Sequence, residues 1–122
     1  MSQKKRYHIH ISLVRNENVN LENALEYALS TDYFLTWDLL ATHTNFVEYS
    51  RQQIDQCDYM IFILGNDYGH LSLSGVSYLH LSYIYASSKR VPMIALVNTQ
   101  PSQHELLRQR LDLFNLVIKE QG

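Results

Sequence analysis

The sequence predicts an α/β domain in which helices cover both faces of a parallel sheet. Short apolar segments alternate with longer segments of helical periodicity along the whole chain, and no linker rich in Pro or Gly interrupts them. Residues 58–64 (DYMIFIL) are apolar at nearly every position, as expected for a central parallel strand that is buried on both faces. Strands that alternate with helices pair in parallel through right-handed crossovers, so these observations favour a layered α/β architecture.

Eight elements follow from periodicity and from turn residues. Strands are short segments that are apolar throughout or in alternation, whereas helices repeat apolar residues at helical spacing. By these criteria the elements in chain order are strand 7–14, helix 20–30, strand 33–39, helix 45–56, strand 58–64, helix 77–88, strand 91–97 and helix 102–120.

Capping residues support the boundaries of the helices. Asn20 is the expected N-cap of the first helix, and Asn45 with Glu48 has the spacing of a capping box at the second. Ser102 with Glu105 has the same spacing at the last helix. That helix carries two neighbouring apolar stripes. The first is formed by Leu107, Leu111, Phe114 and Ile118. The second is formed by Leu106, Leu113, Leu116 and Val117.

Length and composition predict a single domain over residues 1–122, with residues 1–6 as a flexible start. The hydrophobic fraction of 46% excludes a disordered chain, and the net charge of -2 favours neither nucleic acid nor a membrane surface as a partner. Because Cys57 is the one cysteine, no intrachain disulfide forms, which fits a reducing cytoplasm. Tyrosine is abundant, with nine residues against four Phe, and it suits partly wet clefts and interfaces.

Several common chemistries of α/β proteins lack their motifs in this chain. It has no Walker lysine loop, no G-x-G-x-x-G and no G-x-S-x-G, so the usual nucleotide and hydrolase sites are not expected. His8 and His10 share one face of the first strand, but no further pair of ligands accompanies them. We therefore expect hydrogen-bonded histidines and no metal. Cys57 precedes the central strand and is expected to be a buried, inert thiol.

The carboxyl ends of the predicted strands are where a ligand site is expected, because parallel sheets bind ligands there. In the loop 65–75, Gly65 and Gly69 allow close backbone approach or positive φ. The start of helix 77–88 offers backbone N–H groups that suit an anion. Alternatively, the glycines only turn the chain and Ser77 only caps the helix. The candidate ligand-binding residues are Ser12, Asp38, Asn66, Asp67, Tyr68, Gly69, Ser77 and Ser82.

One segment carries the signature of a family. Residues 54–69 read IDQCDYMIFILGNDYG, followed by GVSY at 75–78 and YIYA at 83–86. This pattern resembles the bacterial domain of unknown function 4062, which is itself similar to TIR domains and nucleoside 2-deoxyribosyltransferases. The resemblance implies a three-layer, flavodoxin-like (TIR-like) fold whose four-stranded parallel sheet has the order 2-1-3-4. The activity of the related enzymes that the resemblance implies is cleavage of an N-glycosidic bond.

The same resemblance places the catalytic glutamate of the related enzymes at Ser82, which is neutral. A carboxylate is needed there, either as a nucleophile or to stabilise an oxocarbenium ion. Asp38 and Asp67 are the other candidate catalytic residues. Asp38 would bind a ribose hydroxyl, and Asp67 would supply a carboxylate from the loop after the third strand. We therefore expect glycosidase activity to be absent or very weak. We expect no resident cofactor, and the alternative is that the domain binds NAD or a nucleotide.

Surplus apolar helix faces predict association. Helix 77–88 is apolar or aromatic nearly all round, and helix 102–120 carries its second apolar stripe. We therefore expect a homodimer or a protein partner, since large exposed apolar patches are rare on monomers. In the alternative, these two helices cover each other. The expected interface residues are Tyr78, Tyr85, Leu113 and Val117.

The function that these observations predict is a catalytically degenerate TIR-like module that acts by association in bacterial stress or defence signalling. Two alternatives are left open. The first is an N-glycosidase or deoxyribosyltransferase-like enzyme that acts on NAD or a nucleoside. The second is a nucleotide-binding sensor domain.

Overall fold

A computed structural model describes residues 6–99 and 107–122, and its strands and helices alternate as predicted. Residues 1–5 and the predicted capping box at Ser102 and Glu105 lie outside the described residues. The elements are β1 (His8–Ser12), α1 (Val19–Leu29), β2 (Phe34–Trp37), α2 (Phe46–Gln56), β3 (Tyr59–Leu64), α3 (Tyr78–Ser88), β4 (Met93–Val97) and α4 (Leu107–Gln121).

The four strands form one parallel sheet in the order β2-β1-β3-β4, which confirms the predicted order. Side chains that lie in register on neighbouring strands share a face of such a sheet. Ile11 lies opposite Ile61, which in turn lies opposite Ile94. His10 lies opposite Met60, which lies opposite Met93 on the other face.

Helices cover the two faces unequally. On the first face, α1 packs against a cluster that includes Ile11 and Ile61, through its three leucines. On the second face, α2, α3 and α4 all contribute to a larger cluster around Met60. We refer to these as the α1 face and the three-helix face. The prediction of helices on both faces is confirmed, with one helix against three.

One consequence of this arrangement is an uncovered strip of β4. Ile94 and Leu96 lie in register with Ile61 and Ile63, so all four belong to the α1 face. α1 covers the two residues of β3, which are buried. The β4 side chains are left open, with Ile94 62% and Leu96 41% exposed. We call these two residues the open β4 face.

The observed N-cap residues agree with the prediction at α3 and α2 and differ at α1. Ser77 Oγ accepts the N–H of His80 at 3.1 Å. The cap of α1 is Asn18, two residues before the predicted Asn20. Asn45 stands at the start of α2 but makes no side-chain cap hydrogen bond, so the capping box predicted there is wrong.

Among the described residues of α4, the fully buried apolar side chains belong to the second of the two stripes predicted from the sequence. Leu113 and Val117 are 0% and 1% exposed, whereas Leu111 and Ile118 are about half exposed. Both stripes have helical spacing, so their periodicity does not decide between them. Arg110 decides it, because its buried guanidinium lies on the same side of α4 as Leu113 and Val117 and bonds to the sheet.

Leucine-to-alanine substitutions test this orientation of α4. Leu113→Ala is expected to lower the free energy of unfolding by about 2–5 kcal/mol, because it leaves a cavity in the core. Leu111→Ala, on the same helix, should lower it by about 0.5 kcal/mol or less. Urea unfolding followed by circular dichroism measures both. Equal losses, or the larger loss at Leu111, would show that the helix is rotated.

Candidate functional site

A buried chain of hydrogen bonds joins Ser12, Asp38 and His10 on the three-helix face. Ser12 Oγ donates to Asp38 Oδ2 at 2.5 Å, and His10 Nε2 lies 2.8 Å from Asp38 Oδ1. All three side chains are fully buried. Each carboxylate oxygen therefore already has a partner inside the protein. This leaves Asp38 without the open access that binding a ribose hydroxyl would require.

The same chain of hydrogen bonds continues to the other end of β1. His10 Nδ1 and His8 Nε2 lie 2.8 and 2.7 Å from Thr36 Oγ1. Thr36 Oγ1 therefore links the two rings, and Asp38, His10, Thr36 and His8 form one hydrogen-bonded chain. Burial lowers the pKa of His8, and His10 beside it acts in the same direction. His8 and His10 are thus hydrogen-bonded, as expected from the sequence.

Glu17, in the loop after β1, holds the loop that follows β3. Its Oε1 accepts the backbone N–H groups of Asn66 and Asp67, the second at 3.1 Å. Gly65 makes this approach possible, since a Cβ there would lie 2.7 Å from that oxygen. Burial raises the pKa of Glu17, and the two N–H donors oppose that shift. The result is a half-buried carboxylate fixed at the strand ends.

Arg110 of α4 joins the ends of β3 and β4 through hydrogen bonds. Its Nε and Nη2 donate to Gly65 O at 3.0 and 2.8 Å, and Nη2 also donates to Asn98 O at 2.6 Å. The side chain of Asn98 donates to Asn66 Oδ1. Burial lowers the pKa of Arg110, and the carboxylate of Glu17 opposes the shift. Both loops and α4 are therefore fixed to one another by polar contacts.

A cavity of about 390 Å³ opens at these strand ends on the α1 face. Glu17 and Asn18 border it from the start of α1, and Asn66 and Asn98 border it from the sheet, with apolar side chains between them. This volume falls in the range of small-molecule sites. Of the eight predicted ligand-binding residues, Asn66 lines it.

Tyr68 and Ser77 fasten the loop after β3 to the start of α3. The buried Tyr68 hydroxyl lies 2.6 Å from His80 Nδ1 and accepts the N–H of Ser77 at 3.2 Å. Gly69 has a φ of 100°, which accounts for a glycine at this turn. The N–H groups of Ser77 and His80 are thus bonded within the chain. Ser77 therefore caps the helix, as in the capping alternative.

The position of the expected catalytic glutamate lies between two helices. Ser82 Oγ is 2.9 Å from Ser50 Oγ, and both residues are buried where α3 packs on α2. The space beside Ser82 is about 10 Å³, far below the size of a ligand. Ser82 therefore does not face a cleft, which corrects its assignment as a ligand-binding residue.

The four predicted interface residues contact their own chain. Leu113 and Val117 are enclosed in the core of the three-helix face. Tyr78 packs against Phe46 of α2 with ring centroids 5.1 Å apart. Tyr85 donates to an aspartate of α2 at 2.7 Å. The expected interface at Leu113 and Val117 is corrected, because α3 and α4 cover the same face of the sheet, as in the alternative.

Cys57 has the surroundings of an unreactive thiol. Its Sγ donates to Ile54 O at 3.2 Å, and burial raises its pKa to about 11. The thiolate is the reactive form, so little of it is present near neutral pH.

A family comparison covers nearly all of these elements. The family model described as Domain of unknown function (DUF4062) matches residues 14–120. The chain belongs to this family. No curated protein and no solved structure shows a significant match to the chain. The matched range includes Glu17, Asn66 and Arg110, so the polar strand ends described above lie within the DUF4062 domain.

Two general features of this DUF4062 domain concern ligands and membranes. Within residues 6–99 and 107–122, no group of three or more His, Cys, Asp or Glu side chains is placed to hold a metal ion. Across the same ranges, no helix combines the length and the apolar character that crossing a bilayer requires.

Sequence reasoning did not identify Glu17 and Arg110. Arg110 lies three and seven residues before Leu113 and Val117, so it is a charged residue within an apolar stripe. That pattern is a signal for a buried cation with non-local partners. Glu17 carries no such signal, because its partners are backbone groups about fifty positions away along the chain.

Substitution of Asp38 tests whether this carboxylate is a structural element of the domain. Asp38→Asn presents an amide donor to Ser12 or His10, so the free energy of unfolding should fall by about 2–4 kcal/mol. Asp32→Asn at an exposed position is the matched control and should change it by about 0.5 kcal/mol or less. Urea unfolding of the two variants measures both effects. A loss as small as that of the control would contradict the structural role.

Proposed function

We propose that this DUF4062 domain is a non-catalytic, TIR-like module that acts by associating with other protein chains, foremost with itself. The observation that carries the proposal is the open β4 face, where Ile94 and Leu96 are 62% and 41% exposed. Adjacent apolar side chains on an exposed edge strand favour association, because contact removes them from water. Bacterial stress or defence signalling is the setting that the family resemblance suggests.

The positions of the carboxylates support a non-catalytic role. Asp38 is fully buried and its two oxygens already have partners. Ser82 supplies no charge and lies between helices. An N-glycosidase needs a carboxylate at the anomeric carbon of its substrate, and neither position provides one.

Sedimentation velocity across a concentration series tests the proposal. The wild-type chain should change reversibly from monomer to dimer as its concentration rises. Ile94→Lys places a charge on the open β4 face and should weaken association by about tenfold or more, the equivalent of about 1.4 kcal/mol. Tyr27→Lys, at a 90% exposed site on α1, is the matched control and should associate like the wild type. A wild-type chain that stays monomeric throughout would refute the proposal.

Ligand binding at the cavity of the α1 face is a second candidate function. Its volume of about 390 Å³ and the half-buried carboxylate of Glu17 at its rim favour a small molecule, with a nucleoside or NAD as the class that the family resemblance suggests. Glu17 would accept hydrogen bonds from such a ligand. In the enzyme alternative it would be the carboxylate at the sugar.

Thermal denaturation with NAD and a panel of nucleosides tests this second candidate. A ligand at a hundred times its Kd should stabilise the chain by about 2.7 kcal/mol. Leu21→Trp, which fills the cavity, should abolish the stabilisation, and Tyr27→Trp on the same helix should preserve it. Release of free base from NAD, lost in Glu17→Gln, would establish the enzyme instead. A chain that no compound stabilises would exclude this candidate.

A further inference from the structure

We infer that two copies of the domain pair through the outer edges of their β4 strands, antiparallel, with Ala95 on the twofold axis. The inference rests on the proposed function. The inference specifies the partner, which is a second copy of this chain, and the register in which the two strands pair.

The backbone of β4 presents one set of hydrogen-bonding groups to β3 and the other to the outside. Pro92 O accepts the N–H of Met60 at 2.9 Å, and the N–H of Asn98 donates to Leu64 O at 2.8 Å. Even-numbered positions of β4 therefore face β3. Positions 93, 95 and 97 direct their N–H and C=O groups outward, and β4 is an edge strand of the four-stranded sheet.

These outward groups restrict how a second copy can pair. Antiparallel pairing must match outward positions with outward positions, so a twofold axis pairs more than one outward residue of each β4 strand when it passes through Ile94, Ala95 or Leu96. With an axis at Ile94, Val97 of one copy would have to pair with Val91 of the other. The N–H of Val91 already donates to Ala86 O at 3.2 Å within its own chain.

With an axis at Leu96, Met93 of one copy would have to pair with Thr99 of the other, and Thr99 lies beyond the end of β4. An axis at Ala95 needs the strand alone, because it pairs Met93 with Val97 of the second copy. Every outward group is then used, in about six hydrogen bonds between the copies.

The register that satisfies the backbone also covers the open β4 face. With the axis at Ala95, Ile94 lies directly opposite Leu96 of the second copy, and this pair occurs twice. Such non-hydrogen-bonded pairs bring side chains into close contact. Four side chains that are 62% or 41% exposed in the separate copies then form one apolar cluster on the α1 face. The exposed side chains are therefore complementary to themselves.

Nothing in the charge of this edge opposes self-pairing. Residues 91–99 (VPMIALVNT) contain no charged side chain. Edge strands usually avoid pairing through lysine, proline or a bulge. The one proline, Pro92, occupies an even position, so its missing N–H lies on the side of β3 and leaves the outer edge intact. An uncharged strand fits a second uncharged copy better than it fits a charged partner.

The size of the contact determines its strength. Five residues per copy bury on the order of a few hundred Å², short of the roughly 800 Å² per partner in a stable interface. The dimer is therefore a weak one, with a Kd on the order of 10 μM or higher. Association would respond to local concentration, as suits a module whose function is to gather copies.

Engineered cysteines test the register in the background Cys57→Ser. Ile94→Cys and Leu96→Cys proteins are oxidised separately and as an equimolar mixture, and disulfide-linked dimers are counted on non-reducing gels and identified by mass spectrometry. In the inferred register, Cα atoms of positions 94 and 96 of the two copies lie about 4.5 Å apart, within disulfide range. Identical positions lie about 7–8 Å apart, beyond it. The mixture should therefore cross-link at least about tenfold faster than either protein alone.

Each other outcome overturns the inference. Faster cross-linking of Ile94→Cys alone would place the axis at position 94, and of Leu96→Cys alone at position 96. If the wild type dimerises but no cysteine protein cross-links faster than Tyr27→Cys, an exposed control on α1, the domain associates through another surface. The proposed function then stands while this inference fails. If the wild type and the cysteine proteins are all monomeric, both fail. Circular dichroism of every variant confirms that the fold is retained.

Discussion

The buried guanidinium of Arg110 is the contact on which the arrangement of this domain depends. It lies on the side of α4 that packs on the three-helix face, and it donates to the carbonyl groups at the ends of β3 and β4. With Arg110 fixed, Leu113 and Val117 face the core, whereas Leu111 and Ile118 face outward. The opposite side of β4 then receives no helix among the described residues, so Ile94 and Leu96 are exposed. The open β4 face is thus on the side of the sheet opposite the one that α4 covers.

The polar groups at the strand ends are satisfied separately on the two faces of the sheet. On the three-helix face, Asp38 is enclosed with Ser12 and His10, and the cavity near the start of α3 is only about 90 Å³. On the α1 face, Glu17 borders a cavity of about 390 Å³. A carboxylate enclosed by its own donors stabilises the fold, and electrostatic catalysis needs one that is aimed at a reacting group. This division leaves Glu17, and not Asp38, as the carboxylate that borders an open cavity.

Local pattern was sufficient to predict the strand and helix order and the special roles of Gly65 and Gly69. It was insufficient wherever two local choices were equivalent. Asn18 and Asn20 are both good N-caps, and the backbone of the β1–α1 loop selects Asn18. The stripes of α4 have the same periodicity, and Arg110 selects between them through partners far away in the chain. The surroundings of Ser82 are likewise non-local, because Ser50 belongs to another helix. The family resemblance supplied an alignment for Ser82 but not the packing around it.

Amide hydrogen exchange along β4, at low and high protein concentration, tests most directly whether the domain associates through this edge. The N–H groups of Ile94 and Leu96 face β3, so they should be protected at both concentrations. Those of Met93, Ala95 and Val97 face outward and should exchange rapidly in dilute solution, then become protected as the concentration rises. Exchange at Ala95 that stays rapid at a concentration where the chain is dimeric would contradict the account.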